Sequence, residues 1–238
     1  MTSPIVAITG GAGALGSALA TTLVAQNYRV LFLDTERGKE RAETLAASFG
    51  KERAAVHAAD FATREAWDAA LATSERAFGG RPSHAALIAG GWDGGKPLHE
   101  MADESYAKLM KANVDTAYRA LVALLPAMVD AKCGSVVVVG SRAVERPWTS
   151  ANSATYAATK AAVVTMAQAT AQEVLAHGVR INAILPSTMD TPANRAAMPK
   201  VDPSTWVSLD SAAGVIAFLL SDAARDISGA AIPVYGRA

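Results

Sequence analysis

A single doubly wound α/β domain is the fold class predicted by three features of this 238-residue chain. Short β-branched runs alternate with longer alanine- and leucine-rich segments, the rhythm of βα units on a buried parallel sheet. A glycine-rich turn, Gly10-Gly11-Ala12-Gly13-Ala14-Leu15-Gly16, follows the first of those runs directly. No repeat, linker or change of composition interrupts the pattern, so residues 1–238 are expected to form one dinucleotide-binding domain. Its parallel sheet should have about seven strands, with helices on both faces.

Taken in order, the first strand is expected at Ile5 to Thr9, and the helix opened by the glycine turn should run to about Gln26. Arg29 to Leu33 follows as the second strand, with Asp34 at its carboxyl end. Ala54 to Ala58, Ala85 to Ala89, Ser135 to Val139, Arg180 to Leu185 and Ala231 to Val234 complete the series, with helices between them. One of those helices, Ser153 to His177, should make roughly six to seven turns. The longest irregular stretch, Pro186 to Leu209, is punctuated by Pro186, Pro192, Pro199 and Pro203. A loop of that length inside a compact domain usually serves function, so a substrate lid is expected over 186–209.

Composition excludes several classes. Lys and Arg together balance Asp and Glu at 22 each, 51% of residues are hydrophobic and 18% charged, which fits a folded chain rather than a disordered one. A pI near 6.9 leaves no broad positive field, so neither nucleic acid nor an acidic membrane surface is expected as a partner. Met1 to Gly10 lacks the basic start of a secretion signal, and no stretch nears the roughly 18 apolar residues of a membrane span; the expected location is the cytoplasm. Cys133 is the only cysteine, which precludes an internal disulfide, and it is expected to be a buried thiol. His57, His84, His99 and His177 show no ligand spacing, so no metal site is expected.

Two regions carry chemistry. In Gly11-x-Gly13-x-x-Gly16 the glycines let backbone approach a pyrophosphate at a helix N-terminus, where free N–H groups and the helix dipole favour anions. Asp34 stands eighteen positions beyond Gly16, close to the offset at which a carboxylate accepts from adenosine ribose hydroxyls and repels a 2′-phosphate. The cofactor expected is therefore NAD(H) in preference to NADP(H); the alternative for Asp34 is capping of the helix that starts near Thr35. Asp60 and Phe61, after the third strand, fall where adenine would lie, or form a plain turn. Tyr156 and Lys160, four apart on one helix, share a face. A tyrosine titrating near 10 needs positive charge nearby to serve as a proton donor and acceptor at neutral pH, and the lysine brings it. Ser141, just past the strand ending at Val139, adds a hydroxyl at the sheet's carboxyl edge.

With those residues in hand, the chain resembles the short-chain dehydrogenase/reductase family over essentially its whole length. The matching motifs come in the family's order: TGGAGALG, Asp34, Asp60, Ala89-Gly90-Gly91, Asn113, GSVVVVGS ending at Ser141, YAATK, RINAILPSTMDTP and ISGAAIPVYG. The resemblance implies a catalytic tetrad of Asn113, Ser141, Tyr156 and Lys160, in which tyrosine exchanges the proton and serine orients the substrate oxygen. Lysine would also hold the nicotinamide ribose, Asn113 would keep a water in a proton relay, and Pro186 and Thr188 would contact the nicotinamide. It further implies a homodimer or homotetramer, with Met101 to Ala131 and Ser153 to His177 at the interface. This chain departs from the family pattern at Ala14, at Ile88, and in the fifteen positions from Ser141 to Tyr156, two more than usual, so 145–153 should bulge.

Trp92 with its flanking glycines, the LPSTMDTPANRAAMPKVDPSTW stretch and GALGS are in turn similar to the dihydropteridine reductases, which reduce a quinonoid dihydropterin with NADH. That branch typically lacks the serine kept here as Ser141. Trp92, Trp148, Met189 and Trp206 are candidates to contact a flat substrate. The expected activity is hydride transfer between NAD(H) and a small carbonyl or alcohol. The alternatives are a dihydropteridine reductase and a non-catalytic dinucleotide sensor.

Overall fold

A computed structural model describes residues 3–237. Seven strands, β1 (Ile5–Thr9), β2 (Arg29–Asp34), β3 (Ala54–Ala58), β4 (His84–Leu87), β5 (Gly134–Val139), β6 (Val179–Pro186) and β7 (Ala231–Val234), form one sheet in the order β3-β2-β1-β4-β5-β6-β7. Every pairing is parallel. The order reverses between β1 and β4, and that reversal opens a crevice at the carboxyl ends of the strands, where open α/β sheets bind ligands.

Side-chain alternation along each strand explains why both faces are covered. Ala7, Leu31, Leu33, Ala85, Val136, Val138 and Ile181 point to one face, where α3 (Arg64–Phe78), α5 (Thr116–Ala131) and α6 (Ala154–Val174) pack. Val6, Ile8, Val30, Phe32, Ala86 and Val137 point to the other, against α1 (Ala14–Ala25), α2 (Lys39–Phe49) and α8 (Leu209–Leu220). Two shorter helices complete the set, α4 (Asp103–Leu109) and α7 (Pro192–Ala197). Trp67, Phe32 and Leu19 are among the largest fully buried side chains, each adding about 1.5–3 kcal/mol relative to exposure.

Several expectations are corrected. β4 stops at Leu87 rather than Ala89, because the chain turns off the sheet and the Ala89 N–H bonds the Thr9 hydroxyl at 3.1 Å. Cys133 is exposed, not buried: Lys132 ends α5 in the left-handed region and leaves the thiol at the sheet's amino edge. Asn113 lies in a π-helical turn, Met110–Asp115, between α4 and α5. The segment 186–209 is not irregular throughout. It contains α7 and a 3₁₀ turn, Pro203–Thr205, and is tied back by a bridge between Met189 and Val207. Among the described residues no helix is long and apolar enough to cross a membrane.

Candidate active site

At the first crossover, the turn between β1 and α1 closes on itself. Gly10 adopts φ +66°, a conformation costly for any residue with a Cβ, and the Gly13 N–H reaches the Gly10 carbonyl at 3.0 Å. Gly16 packs so closely on that turn that a Cβ there would meet the Gly11 carbonyl oxygen at 2.7 Å and its Cα at 2.8 Å. α1 starts without a side-chain cap, since its N-cap is Gly13, so its first N–H groups face the crevice entrance with no side chain competing for them. This cradle fits a pyrophosphate. Leu15 is buried in the α1 face of the core, so only its backbone belongs to the turn; Ala14 is half-buried beside it.

Asp34 sits at the end of β2, its Oδ2 accepting from the Ala12 N–H at 2.9 Å and its Oδ1 from the Thr35 N–H at 2.8 Å. The carboxylate therefore bridges the glycine turn and the following 3₁₀ turn, and helix capping is not its role. Asp60 accepts from the Ala62 N–H at 3.2 Å and pairs with Lys111 at 2.7 Å; hydrogen bonding from Lys111 holds its carboxyl below the usual range. The Phe61 ring is buried between His57 and Trp67, and its carbonyl accepts from the Trp67 indole, which leaves only backbone to face a ligand.

The second half of the site is a cavity of about 710 Å³. Ile88, Gly90, Gly91 and Trp92 form one side; Val139, Gly140 and Ser141 the next; Pro186, Ser187, Thr188 and Met189 the third. α6 contributes Tyr156 and Lys160, and α7 contributes Asn194 and Ala197. These walls are the carboxyl ends of β4, β5 and β6, which explains how residues 88 to 198 meet in one place.

Ser141 opens a 3₁₀ turn, its Oγ accepting from the Ala143 N–H at 3.2 Å. The extra residues before Tyr156 are absorbed by that turn and a second one, Pro147–Thr149, which carries Trp148 outward at 75% exposure. Ser141 consequently still meets Tyr156. Burial raises the phenol's pKa above its ordinary 10, and the nearby Ser141 hydroxyl pulls in the opposite direction without overcoming it. Lys160 is buried, and burial pushes its ammonium down to about 8; its Nζ donates to the Val139 carbonyl at 2.9 Å.

Asn113 is buried and fully engaged. Its Oδ1 accepts from the Gly91 N–H at 2.8 Å, and its Nδ2 donates to the Gly91 carbonyl at 3.1 Å and to Thr159 Oγ1 at 2.9 Å. Thr159 donates in turn to the Tyr156 carbonyl at 2.8 Å. The π-helical turn thus clamps the loop after β4 to the helix turn that carries the tyrosine. Sequence reasoning missed Thr159, although YAATK places it next to the lysine, and also missed Arg142, Ser187, Asn194 and Met198 on the cavity wall. Two of the candidate tryptophans are elsewhere: Trp148 lies off the wall, and Trp206 is buried beside the turn at Gly236. Among the described residues no group of three His, Cys, Asp or Glu side chains is assembled to hold a metal.

Comparison with known proteins agrees with this architecture. Residues 4–202 match the family model described as short chain dehydrogenase. The chain is 30% identical over 245 residues to 2,5-dichloro-2,5-cyclohexadiene-1,4-diol dehydrogenase LinX of Sphingobium indicum, covering 96% of this chain and 93% of that protein. It is 32% identical over 239 residues to the 3-oxoacyl-[acyl-carrier-protein] reductase MabA of Mycobacterium tuberculosis, covering 97% and 91%. Among solved structures it superposes on levodione reductase with a TM-score of 0.87 at 28% identity, covering 99% of this chain and 97% of that one. The NADH complex of 3-ketoacyl-(acyl-carrier-protein) reductase from Brucella melitensis gives a TM-score of 0.87 at 27% identity, covering 98% of each.

Proposed function

The chain belongs to the short-chain dehydrogenase family, and from that premise we propose that it is an NAD(H)-dependent oxidoreductase that interconverts a small carbonyl compound and its alcohol. The observation that carries this reading is the convergence of Ser141, Tyr156 and Lys160 on one wall of the cavity, beside the crevice that holds the glycine cradle. Bound there, the reduced dinucleotide supplies the hydride. Gly13 and the first turn of α1 would hold its pyrophosphate, Asp34 its adenosine ribose, and Gly90, Pro186 and Thr188 its nicotinamide end.

The protein's own part is proton transfer and charge. Tyr156 enters protonated, because burial holds its phenol above the ordinary value, so it is ready to donate to the oxygen of a carbonyl being reduced. Ser141 donates to the same oxygen, and its hydroxyl beside the phenol favours the phenolate that the transfer leaves. Lys160, with a pKa of about 8, is predominantly cationic at pH 7 and supplies the positive charge on this wall. The fit between Ser141 and Tyr156 supports a carbonyl reductase above a dihydropteridine reductase, whose relatives do without the serine.

The test is NADH oxidation against ketones, quinones and quinonoid dihydropterin, with Tyr156→Phe as control. We expect turnover of a ketone, lowered by about 10²- to 10⁴-fold in kcat in the variant while NADH binding is retained. Near-wild-type turnover by a folded Tyr156→Phe protein would remove the tyrosine from the chemistry. Quinonoid dihydropterin turned over far above every ketone would replace the substrate class.

A further inference from the structure

The cavity wall carries a positive charge that no group on it answers. Its charged side chains are Lys160 and Arg142, and no aspartate or glutamate lines it. Lys160 is accounted for by burial and by its bond to the Val139 carbonyl. Arg142 is different: it follows Ser141 directly, stands half-buried at the start of the 3₁₀ turn, and, among the described residues, makes neither a salt bridge nor a side-chain hydrogen bond.

The acid nearest to it in sequence makes no ion pair with it. Glu145, three residues on, accepts from the Tyr235 hydroxyl at 2.6 Å, and Arg146 stacks over the Tyr235 ring. Burial and that bond push the Tyr235 phenol up to about 12, so it stays a donor to Glu145 across the neutral range. An exposed arginine is served by water. A half-buried guanidinium on a cavity wall, with five N–H donors in a planar fork and no protein acceptor, is preorganised for a planar anion.

We propose that the substrate carries a carboxylate that Arg142 holds, and that the enzyme acts on small keto acids or their hydroxy acids. The proposal rests on the reductase reading above and narrows it. Arg142 lines the same cavity as Ser141 and Tyr156, so one small substrate can present a carboxylate to the guanidinium and a carbonyl to the two hydroxyls. The apolar surface of Met189, Met198 and the 66%-exposed Trp92 is then left for the carbon skeleton. Arg142 is on this account a specificity residue: it selects the acid over its neutral ester without taking part in proton transfer.

The test separates binding from turnover. 3-Oxocyclohexane-1-carboxylate and its methyl ester are titrated calorimetrically into protein saturated with NAD⁺, which cannot reduce them. We expect the acid to bind about 10- to 100-fold tighter than the ester, the worth of a hydrogen bond to a charged group. Arg142→Met should bring the two within about twofold, and Arg142→Lys should restore part of the preference. Equal binding of acid and ester to the wild type, or an undiminished preference in Arg142→Met, overturns the proposal. Turnover with NADH is then read separately. Acid preference lost in Arg142→Met with no NADH-dependent reduction of these compounds or of any acceptor in the screen above keeps the anion site and sinks the reductase reading; an ester reduced as efficiently as the acid does the reverse.

Discussion

Asp34 holds two backbone N–H groups from its position at a strand end, and the proposed reading gives it a second function. Its carboxylate ties the Ala12 N–H of the glycine turn to β2, and it also lies where a dinucleotide's adenosine ribose would reach. A 2′-phosphate added there would meet a carboxylate already oriented by two backbone donors, so NADH should bind more tightly than NADPH. Asp34→Ala should narrow or invert that difference. Dissociation constants for both cofactors on both proteins decide it, and tighter NADPH binding by the wild type would refute the assignment. His84 makes a different point at the same scale. Half-buried beside Tyr28 and hydrogen-bonded through Nδ1 to Ser83, it is depressed to about 4, first by desolvation and then by Arg180, with Asp222 opposing.

An element-scale feature, the π-helical turn Met110–Asp115, explains how the cavity wall is braced. The extra residue of the turn aims Asn113 into the protein, where it bonds the Gly91 backbone and Thr159 together. The segment after β6 works by contrast through light tethering. Its anchors are the Met189–Val207 bridge, the Asn194 amide on the Met189 carbonyl at 2.8 Å, and the buried Trp206 near its end. Between them α7 is only six residues long and has no buried side chain. Residues 190–201 are therefore expected to open locally at low cost and to order over bound cofactor and substrate. Hydrogen exchange should be fast there without ligand and slowed at least several-fold by NADH; exchange that is slow from the start and unchanged by cofactor would contradict a lid.

For the whole molecule, two expectations follow from packing. α5 and α6 leave Tyr118, Ala158, Ala162 and Thr165 exposed although each helix buries one face against the sheet, and small residues on α6 permit close helix approach. The protein is expected to be a dimer or tetramer through α4, α5 and α6, so sedimentation at micromolar concentration should give a multiple of 24.5 kDa; a strictly monomeric mass would count against it. The second concerns acid. His84 titrates at 6.5 unfolded and about 4 folded, so below pH 6.5 the unfolded chain takes up a proton that the native state refuses. The stability present above pH 6.5 is lost progressively as pH falls to about 4, by up to about 3 kcal/mol from this residue. Urea unfolding at pH 7 and pH 4.5 should show a smaller pH-dependent loss in His84→Asn than in the wild type. Equal losses would assign the acid sensitivity to other groups.

How much of this was legible in the sequence depends on the range of the interaction. The strand starts, the glycine turn, Asp34 eighteen positions on, and the Tyr156/Lys160 pair were readable because periodicity, turn chemistry and helix spacing act over a few residues. The same local reading misjudged Cys133, Trp206 and the end of β4, since burial depends on which distant element arrives to cover a side chain. Ser141 illustrates the division: the sequence showed a hydroxyl at a strand end with too long a link to Tyr156, and only the two 3₁₀ turns that absorb the excess bring the pair together. Thr159 and Arg142 lay outside sequence reasoning altogether. One matters because Asn113, 46 residues away, bonds it, and the other because the fold sets it on the cavity wall without an ion-pair partner. Local patterning determined the elements and the order of the motifs; the parallel sheet, by bringing the carboxyl ends of β4, β5 and β6 side by side, decided which side chains share a site and which charge on its wall is left without a partner.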